Sequence, residues 1–276
     1  MSLAPMLRLG LIGDNIKLSR APELHVAAGR LAGLDVSYEL LIPAERDMDF
    51  DGVFENCRVT GMRGLNITYP YKQIAVAKAE IDDPLVRRLG AINTVVFENG
   101  RTHGYNTDHS GFIAAYRATF GSVEPGHTVI IGAGGAGSAV AFALTALGAP
   151  ALTIVDKDIA RAKALAGALG DFEVKVAVRS AVDSDVRGVE GVVNCTPIGM
   201  TGYPGSPIDV SILGPQRWAF EAIYTPRQTE FSRAALAAGL RVLHGYELFI
   251  HQGLDAFRLF TGRSVDESAL RAALAE

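Results

Sequence analysis

The sequence predicts an α/β protein of two domains: a doubly wound Rossmann-type dinucleotide-binding domain and an α/β substrate domain completed by the C-terminal helices. Two observations predict this fold class. Short apolar runs alternate with helical stretches along most of the chain, and one run, Thr128–Ile131, opens directly into a glycine-rich turn. The 276 residues, 49% of them hydrophobic, are enough for two packed cores. We place the substrate domain at residues 1–108 plus 245–276 and the dinucleotide-binding domain at residues 109–244.

The elements of the first domain follow from apolar runs and turn residues. Pro22 suits the first turn of a helix that starts near Ser19, because proline lacks an N–H that this position does not need. Asn99-Gly100 is a strong hairpin signal between two β-rich segments. Strands are therefore expected at residues 7–13, 36–42, 64–68, 91–97 and 102–106, and further helices at residues 50–58 and 112–120.

The second domain continues as an alternation of buried strands and helices, which is typical of a doubly wound sheet. The last predicted helix, at residues 247–258, has an apolar stripe at helical spacing. It carries Gln252, whose amide can point into a cleft, whereas His251 faces away. Strands are expected at residues 128–131, 151–155, 173–178, 217–224 and 240–243 and from residue 191, and helices at residues 138–147, 160–169 and 229–238.

The turn after Ile131 reads Gly132-x-Gly134-x-x-Gly137 and leads into an alanine-rich helical segment. Gly132 permits the tight turn, Gly134 lets backbone N–H groups approach a pyrophosphate, and Gly137 lets the helix pack closely on the strand. The pattern by itself fits a purely structural turn equally well, since glycine-rich turns after buried strands are common in α/β proteins. In the functional interpretation the pyrophosphate loop consists of Gly132, Gly134, Gly135, Ala136 and Gly137.

The next strand, Ala151–Val155, ends on Asp156, about 20 positions beyond the glycines. A carboxylate there can accept both ribose hydroxyls of the adenosine half of NAD, and it repels the extra phosphate of NADP. Asp158 is better placed than Asp156 to cap the following helix. Lys157 and Arg161 are cations that can pair with a 2′-phosphate, so the sequence favours NAD without excluding NADP.

Charge and cysteine content exclude several classes of partner. The net charge of −4 comes without blocks of either sign, so we expect no nucleic-acid or membrane partner. The uncharged stretch Val129–Val155 resembles a membrane span, but its glycine and proline residues divide it into a strand, a helix and a strand. The spacing of Cys57 and Cys195 fits neither a disulfide framework nor a zinc site, so we expect no bound metal. We expect both cysteines to be buried as small hydrophobic residues. Without a signal-peptide pattern, we expect a cytoplasmic protein.

Polar side chains follow two of the predicted strands in the first domain. Asn66, Thr68 and Lys72 lie at the end of one strand and on the opening turn of the next helix, where open α/β sheets hold ligands. Asp108 precedes the helix expected at residues 112–120, and by itself it fits a helix cap better than a catalytic role.

Seven motifs, in this order along essentially the whole chain, resemble the shikimate/quinate dehydrogenase family. Asp156 stands where members dedicated to NADP and shikimate typically carry Asn-Arg-Ser/Thr, so the chain is similar to the NAD-preferring quinate/shikimate branch. The motifs are Ser19-x-x-Pro22-x-x-His25, Asn66-x-Thr68-x-Pro70-x-Lys72, Gly90-Ala91-Ile92-Asn93-Thr94, Asn106-Thr107-Asp108, the glycine loop, Asn194-x-Thr196-Pro197-x-Gly199-Met200, and Gln252.

The resemblance implies reversible oxidation of a ring hydroxyl of shikimate or quinate to the 3-dehydro ketone, with hydride transfer to NAD. Lys72 and Asp108 would be the catalytic pair, with Lys72 transferring the proton and Asp108 mainly orienting the hydroxyl and Lys72. The substrate, a hydroxylated ring carboxylate, would be held by Ser19, Asn66, Thr68, Asn93, Gln252 and Tyr224. The nicotinamide end would be lined by Thr196, Pro197, Met200, Ile223 and Gly245, while Asp156, Lys157 and Arg161 would face the adenosine end.

Three departures from the family pattern bear on the substrate. Ala21 stands where the family has a second Ser or Thr, His109 replaces a common Gly, and His244-Gly245-Tyr246 replaces the usual Asp-Gly. Tyr246 is a candidate to supply the missing hydroxyl. Two alternatives remain open, a paralogue acting on an aminated shikimate analogue and a non-catalytic NAD-binding sensor. The protein is expected to be a monomer or a homodimer.

Overall fold

Two β-sheets and the helices around them account for most of residues 6–178 and 186–275, which are the residues described by the computed structural model. The strands are β1 (Leu7–Ile12), β2 (Val36–Leu41), β3 (Gly64–Ile67), β4 (Thr94–Glu98), β5 (Arg101–Tyr105), β6 (Thr128–Ile131), β7 (Leu152–Asp156), β8 (Val174–Val178), β9 (Gly191–Asn194), β10 (Trp218–Glu221) and β11 (Arg241–His244). The α-helices are α1 (Ala21–Leu31), α2 (Phe50–Val59), α3 (Pro84–Leu89), α4 (Thr107–Phe120), α5 (Gly135–Ala146), α6 (Ile159–Leu169), α7 (Glu230–Ala237), α8 (Gly245–Thr261) and α9 (Glu267–Ala275). Short 3-10 helices lie at Pro43–Arg46, Ile74–Lys78 and Val210–Ile212.

The chain divides into two compact units. One unit comprises Met1–Thr107 and Gln252–Glu276, and the other comprises Asp108–His251. Both limits therefore fall inside helices, α4 and α8, whereas the domain limits predicted from the sequence lie after residue 108 and before residue 245.

The sheet of the first unit has the strand order β2-β1-β3-β4-β5. β1 runs parallel to β2 and β3, while β4 is antiparallel to both β3 and β5. Asn99 and Gly100 both adopt positive φ, 51° and 75°, as the predicted hairpin turn requires. The register pairs Asn66 with Thr94 and Thr94 with Tyr105, so the end of β3, the start of β4 and the end of β5 lie at the same edge.

The sheet of the second unit is entirely parallel, with the order β11-β10-β9-β6-β7-β8. The order reverses between β6 and β9, and a ligand crevice is expected outside the carboxyl ends of strands at such a switch point. The glycine loop follows β6, and the Asn194–Met200 segment follows β9. The predicted α/β class with a doubly wound second sheet is confirmed.

Helix α4 and strand β10 differ from their predicted limits because hydrogen bonds from side chains determine where they begin or end. Helix α4 begins at Thr107 and not near Phe112, because the Asn93 side chain accepts the Thr107 backbone N–H at 2.7 Å. Asp108 therefore lies inside its first turn. β10 ends at Glu221, whose carboxylate accepts the N–H of residue 223, so Tyr224 lies beyond the strand.

Lys72 also differs from its predicted position. It lies in a turn ahead of the 3-10 helix Ile74–Lys78 and not on the opening turn of an α-helix. The Lys72 carbonyl accepts the Ile92 N–H at 2.9 Å, a bond to another segment that replaces the helical one.

The uncharged stretch from Val129 to Val155 is divided as expected, into β6, α5 and β7. Helix α5 begins at Gly135, three residues before its predicted start, with Gly134 as its N-cap. No helix in the described part of the chain has the length and hydropathy needed to cross a membrane.

Candidate active site

The first unit carries a buried network of amides and hydroxyls at the edge where β3 ends. The Asn66 Nδ2 donates to the Asn93 carbonyl at 3.3 Å and to the Thr94 hydroxyl at 3.1 Å. Its Oδ1 accepts the Tyr38 hydroxyl at 2.8 Å. Asn66, Asn93 and Thr94 are all less than one tenth exposed, so these bonds hold their side chains in defined orientations.

Asn93 extends the network to α4 and α8. Its Oδ1 accepts the Thr107 N–H at 2.7 Å, and its Nδ2 donates to the Thr107 hydroxyl at 3.0 Å and to the Gln252 Oε1 at 3.5 Å. Three of the predicted substrate residues, Asn66, Asn93 and Gln252, therefore belong to one network. Thr94 and Thr107 were not predicted, although each adjoins a predicted residue within its motif.

Three other predicted residues of this unit lie outside its strands and helices. The Ser19 hydroxyl accepts the Ala21 N–H at 3.3 Å at the start of α1. Thr68 is half-buried, and its N–H donates to the Ile12 carbonyl at 2.9 Å, which extends the pairing of β3 with β1. Lys72 is half-buried in the turn that follows.

His25, the last residue of the first motif, supports this network from the α1 side. Its ring stacks on Tyr38 at a centroid distance of 4.7 Å with the planes 6° apart, and the Tyr38 hydroxyl donates to the Asn66 Oδ1. Burial lowers the pKa of His25 to about 3, although the Asn66 side chain opposes that shift. The imidazole is therefore neutral at physiological pH and acts as a packing partner of Tyr38.

We expect His25 to make the protein less stable as the pH falls below 6.5, the pKa of an unperturbed histidine. The unfolded chain then binds a proton that the folded protein, with a pKa of about 3, does not bind. The free energy of unfolding should fall by about 1.4 kcal/mol per pH unit between roughly pH 6 and pH 4 from this residue alone. Urea unfolding of wild type and His25→Phe across this range measures the difference. Parallel pH curves for the two proteins would contradict the prediction.

The glycine loop of the second unit has two positions that its own structure restricts to glycine. Gly132 has a φ of 102°, and a Cβ on Gly137 would lie 1.8 Å from the Gly132 carbonyl oxygen. Gly134 is different, because it has a φ of −79° and a Cβ there would meet no atom within 4 Å. Internal packing thus explains Gly132 and Gly137 but not Gly134.

Asp156 is tied to the glycine loop by its own hydrogen bonds. Its Oδ2 accepts the Ala133 N–H at 2.7 Å, and its Oδ1 accepts the Asp158 N–H at 2.9 Å. Asp158 caps α6 by accepting the Ala160 N–H at 3.0 Å, as predicted, and it also lies 3.8 Å from the Arg161 guanidinium. The carboxylate of Asp156 therefore lies beside the loop at the end of β7, and Asp158 and Arg161 form an exposed ion pair.

The segment after β9 is organised by Asn194. The Asn194 Oδ1 accepts both the N–H and the hydroxyl of Thr196, at 2.9 and 2.7 Å. The Met200 N–H donates to the Pro197 carbonyl at 3.0 Å and closes the turn. Thr196, Pro197 and Met200 are thus held in one compact turn at the carboxyl edge of the sheet.

A buried carboxylate, Glu221, lies at the end of β10 and was not predicted. It is 1% exposed, and it accepts hydrogen bonds from the Asn194 side chain, the Ile223 N–H and the Thr229 hydroxyl. Burial raises its pKa to about 7 against the opposing effect of these donors. Gly245 packs beside the same segment, since a Cβ there would lie 2.5 Å from the Ala222 carbonyl oxygen.

Tyr224, predicted to bind substrate, belongs to an aromatic group in the second unit. Its ring stacks on Phe249 with the centroids 4.7 Å apart. Tyr246 packs against the same Phe249 and lies under the Arg227 guanidinium, 5.2 Å from its carbon. Both phenols are therefore held by ring packing rather than lying on an open surface.

Family models match three parts of the chain. The substrate-binding domain of shikimate dehydrogenase matches residues 11–95, shikimate/quinate 5-dehydrogenase matches residues 115–197, and the C-terminal domain of shikimate 5′-dehydrogenase matches residues 245–275. A quinate/shikimate dehydrogenase (NAD(+)) from Corynebacterium efficiens is 41% identical over 96% of both chains. The chain belongs to the shikimate/quinate dehydrogenase family. This confirms the resemblance seen in its motifs, and the chain is a member of a family of NAD(P)-dependent oxidoreductases that act on a CH–OH group.

Solved structures agree with this family assignment. The quinate dehydrogenase from Corynebacterium glutamicum in complex with NAD has a TM-score of 0.88 and 37% identity, with 98% of this chain and 99% of that chain covered. The shikimate 5-dehydrogenase from Thermus thermophilus in complex with NADP(H) and shikimate has a TM-score of 0.84 and 34% identity, with the same coverage. The family therefore contains similar members with either dinucleotide.

One departure from the family pattern has a visible structural consequence. Ala21, in place of a second Ser or Thr, is buried at the first position of α1 and gives its N–H to the Ser19 hydroxyl. This segment therefore offers one side-chain hydroxyl where the family pattern has two.

Proposed function

We propose that this chain oxidises a ring hydroxyl of quinate or shikimate to the 3-dehydro ketone and transfers the hydride to NAD. The observation that carries the proposal is the buried network of Asn66, Asn93 and Gln252 at the edge of the first sheet. Uncharged amides fixed in orientation suit a ligand with several hydroxyls, because each hydroxyl both donates and accepts. The C. glutamicum relative, a quinate dehydrogenase in complex with NAD, supports the choice of substrate and cofactor.

The proposed reaction separates the two hydrogens of a secondary alcohol. Bound NAD supplies the nicotinamide that accepts the hydride. Lys72 takes the hydroxyl proton while the C–H bond breaks and the ketone forms. The turn that carries Lys72 is held in place by the hydrogen bond that the Ile92 N–H donates to the Lys72 carbonyl. Asp108 is 5% exposed in the first turn of α4, where the helix dipole favours a carboxylate, and in this proposal it orients the hydroxyl and the amine.

Two features of the second unit support NAD as the cofactor. Gly134 has room for a side chain, so its glycine is explained by the approach of a pyrophosphate to the backbone at the start of α5. Asp156 places a carboxylate beside this loop, where it can accept ribose hydroxyls and repel a 2′-phosphate. Arg161, the cation that would favour NADP, lies near Asp158.

Asp156→Asn is expected to lower kcat/KM for NAD by about 10- to 100-fold, because hydrogen bonds to a charged acceptor are worth about 1.5–3 kcal/mol. The same change should raise kcat/KM for NADP, since the repelling charge is gone. Asparagine keeps one acceptor oxygen, for the Ala133 N–H, but places a donor where the Asp158 N–H was accepted; since that second bond is exposed to solvent, the melting temperature should fall only slightly. Asp156→Ala removes that acceptor as well and should lower both affinity and melting temperature. An unchanged NAD to NADP ratio in Asp156→Asn would refute the role of the charge.

Initial rates with quinate and shikimate, each combined with NAD and with NADP, test the proposed function directly. We expect NADH to form with at least one of the two acids, and NAD to give the higher kcat/KM. Turnover of an aminated analogue in preference to both acids would favour the paralogue. Tight NADH binding without turnover of any ring carboxylate would favour a non-catalytic sensor.

We also propose that the enzyme works in the cytoplasm as a monomer or a homodimer without nucleic-acid or membrane partners. The net charge of −4, spread without basic blocks, supports the absence of polyanionic partners. Light scattering coupled to size exclusion measures the oligomeric state. A molar mass above that of a dimer would refute the proposed oligomeric state.

A further inference from the structure

We propose that Glu221 is a positioning residue for the nicotinamide end of the cofactor, because its carboxylate ties the segment after β9 to the segment after β10. This inference rests on the proposed function and concerns a residue that makes no assigned contact with substrate or cofactor. Three donors from three places in the second unit converge on it: the Asn194 side chain, the Ile223 N–H and the Thr229 hydroxyl.

The first connection leads to the turn after β9. The Asn194 Nδ2 lies 3.0 Å from the Glu221 Oε1 and 3.2 Å from its Oε2, which leaves the Asn194 Oδ1 facing the other way. That oxygen accepts the N–H and the hydroxyl of Thr196. The Asn194 Nδ2 also donates to the Ile198 carbonyl at 3.2 Å. Because an amide has a fixed donor side and a fixed acceptor side, the carboxylate and this carbonyl together hold the Asn194 oxygen toward Thr196.

The second and third connections lead to the segment after β10 and to α7. The Ile223 N–H donates to the Glu221 Oε1 at 3.1 Å, and the Thr229 hydroxyl donates to its Oε2 at 2.6 Å. Thr229 caps α7 and packs against the turn after β9, since a Cβ on Gly199 would lie 3.1 Å from the Thr229 Cβ. Glu221 thus joins both segments assigned to the nicotinamide end, which carry Thr196 and Ile223.

A purely structural role fits the surroundings of Glu221 less well. All the donors that reach this carboxylate within the described residues are uncharged, and a charge buried without a cation lowers stability. An apolar side chain would fill the space at lower cost, but it would remove the acceptor that these three donors share. Among the described residues, the Asn194 Nδ2 would then keep only its bond to the Ile198 carbonyl. The Thr229 hydroxyl would keep its bonds with Ser232, and neither contact joins the two segments. The buried carboxylate of Glu221 is therefore explained by the positions it imposes on the segment after β9 and the segment after β10.

The test is the dissociation constant of NADH, measured by fluorescence titration with wild type and Glu221→Gln. The glutamine turns one of the two acceptor oxygens into a donor, so it cannot accept from Asn194, Ile223 and Thr229 together. We expect NADH to bind at least tenfold more weakly and KM for NAD to rise, with kcat at saturating NAD and KM for quinate changed much less. Should Glu221→Gln not fold, Glu221→Asp carries the same prediction, because its shorter side chain cannot reach all three donors.

The matched control is Glu190→Gln. Glu190 immediately precedes β9, at the opposite end of the same sheet, and its carboxylate accepts the His127 N–H at 2.8 Å. This change should leave the NADH dissociation constant unaltered. A folded Glu221→Gln that binds NADH as wild type does, or an equal loss of affinity in Glu190→Gln, would overturn the inference. A wild-type protein that binds no NADH would overturn the proposed function and this inference with it.

Discussion

Lys72→Met is expected to lower kcat by about 10²–10⁴-fold, the usual contribution of a general base, while NADH binds as it does to wild type. Methionine keeps the length of the side chain but cannot take a proton. The residues assigned to NADH belong to the other unit, so the cofactor affinity should not change. Steady-state rates and an NADH titration on the same samples separate the two effects. Lys78→Met, which removes a half-buried lysine paired with Asp51 at 2.8 Å, is the control and should keep full turnover.

Asp108→Asn distinguishes the two proposed catalytic roles. If Asp108 orients the hydroxyl and Lys72 transfers the proton, asparagine should cost about 10- to 100-fold in kcat, less than the loss in Lys72→Met. A larger loss of kcat in Asp108→Asn than in Lys72→Met would indicate that Asp108 transfers the proton and Lys72 orients the hydroxyl. Near-normal turnover in either variant would remove that residue from the mechanism.

Gly137→Ala is expected to destabilise the second unit by about 3 kcal/mol and to abolish NADH binding. The added Cβ would lie 1.8 Å from the Gly132 carbonyl oxygen, and since both positions belong to the backbone no change of rotamer relieves the overlap. Chemical denaturation gives the loss of stability, and a fluorescence titration gives the loss of affinity. Wild-type stability in this variant would contradict the close packing of α5 against the loop.

Gly134→Ala and Gly167→Ala are the matched glycine controls. A Cβ on Gly134 meets no atom within 4 Å, so this variant should fold like wild type yet bind NADH at least about tenfold more weakly, because the methyl group stands where the pyrophosphate approaches. Gly167, inside α6, also has free space, and alanine there should stabilise the protein by about 0.5–1 kcal/mol without affecting NADH. Normal NADH affinity in Gly134→Ala would remove the support that this glycine gives to the cofactor site.

Elements whose signals are local were predicted well from the sequence. The β6–α5–β7 unit, the Asn99-Gly100 hairpin and the capping of α6 by Asp158 each depend on residues a few positions apart. Hydrophobic period, glycine conformation and side-chain capping act over such distances, so they can be read without knowing the fold. The order of the family motifs added the substrate class and the residues that the family uses.

The remaining features depend on strand order and register, which no local pattern contains. Asn66 meets Thr94 because β3 and β4 pair antiparallel, and α4 begins at Thr107 because Asn93, 14 residues earlier, accepts its N–H. Glu221 lay inside the strand predicted at residues 217–224, and only the parallel pairing of β9 with β10 places Asn194 against it. The sequence by itself therefore determined the fold class, the cofactor loop and the family, through short-range signals and motifs. The tertiary structure alone decided which buried polar groups meet, since those bonds join residues that are close only after the sheets have formed.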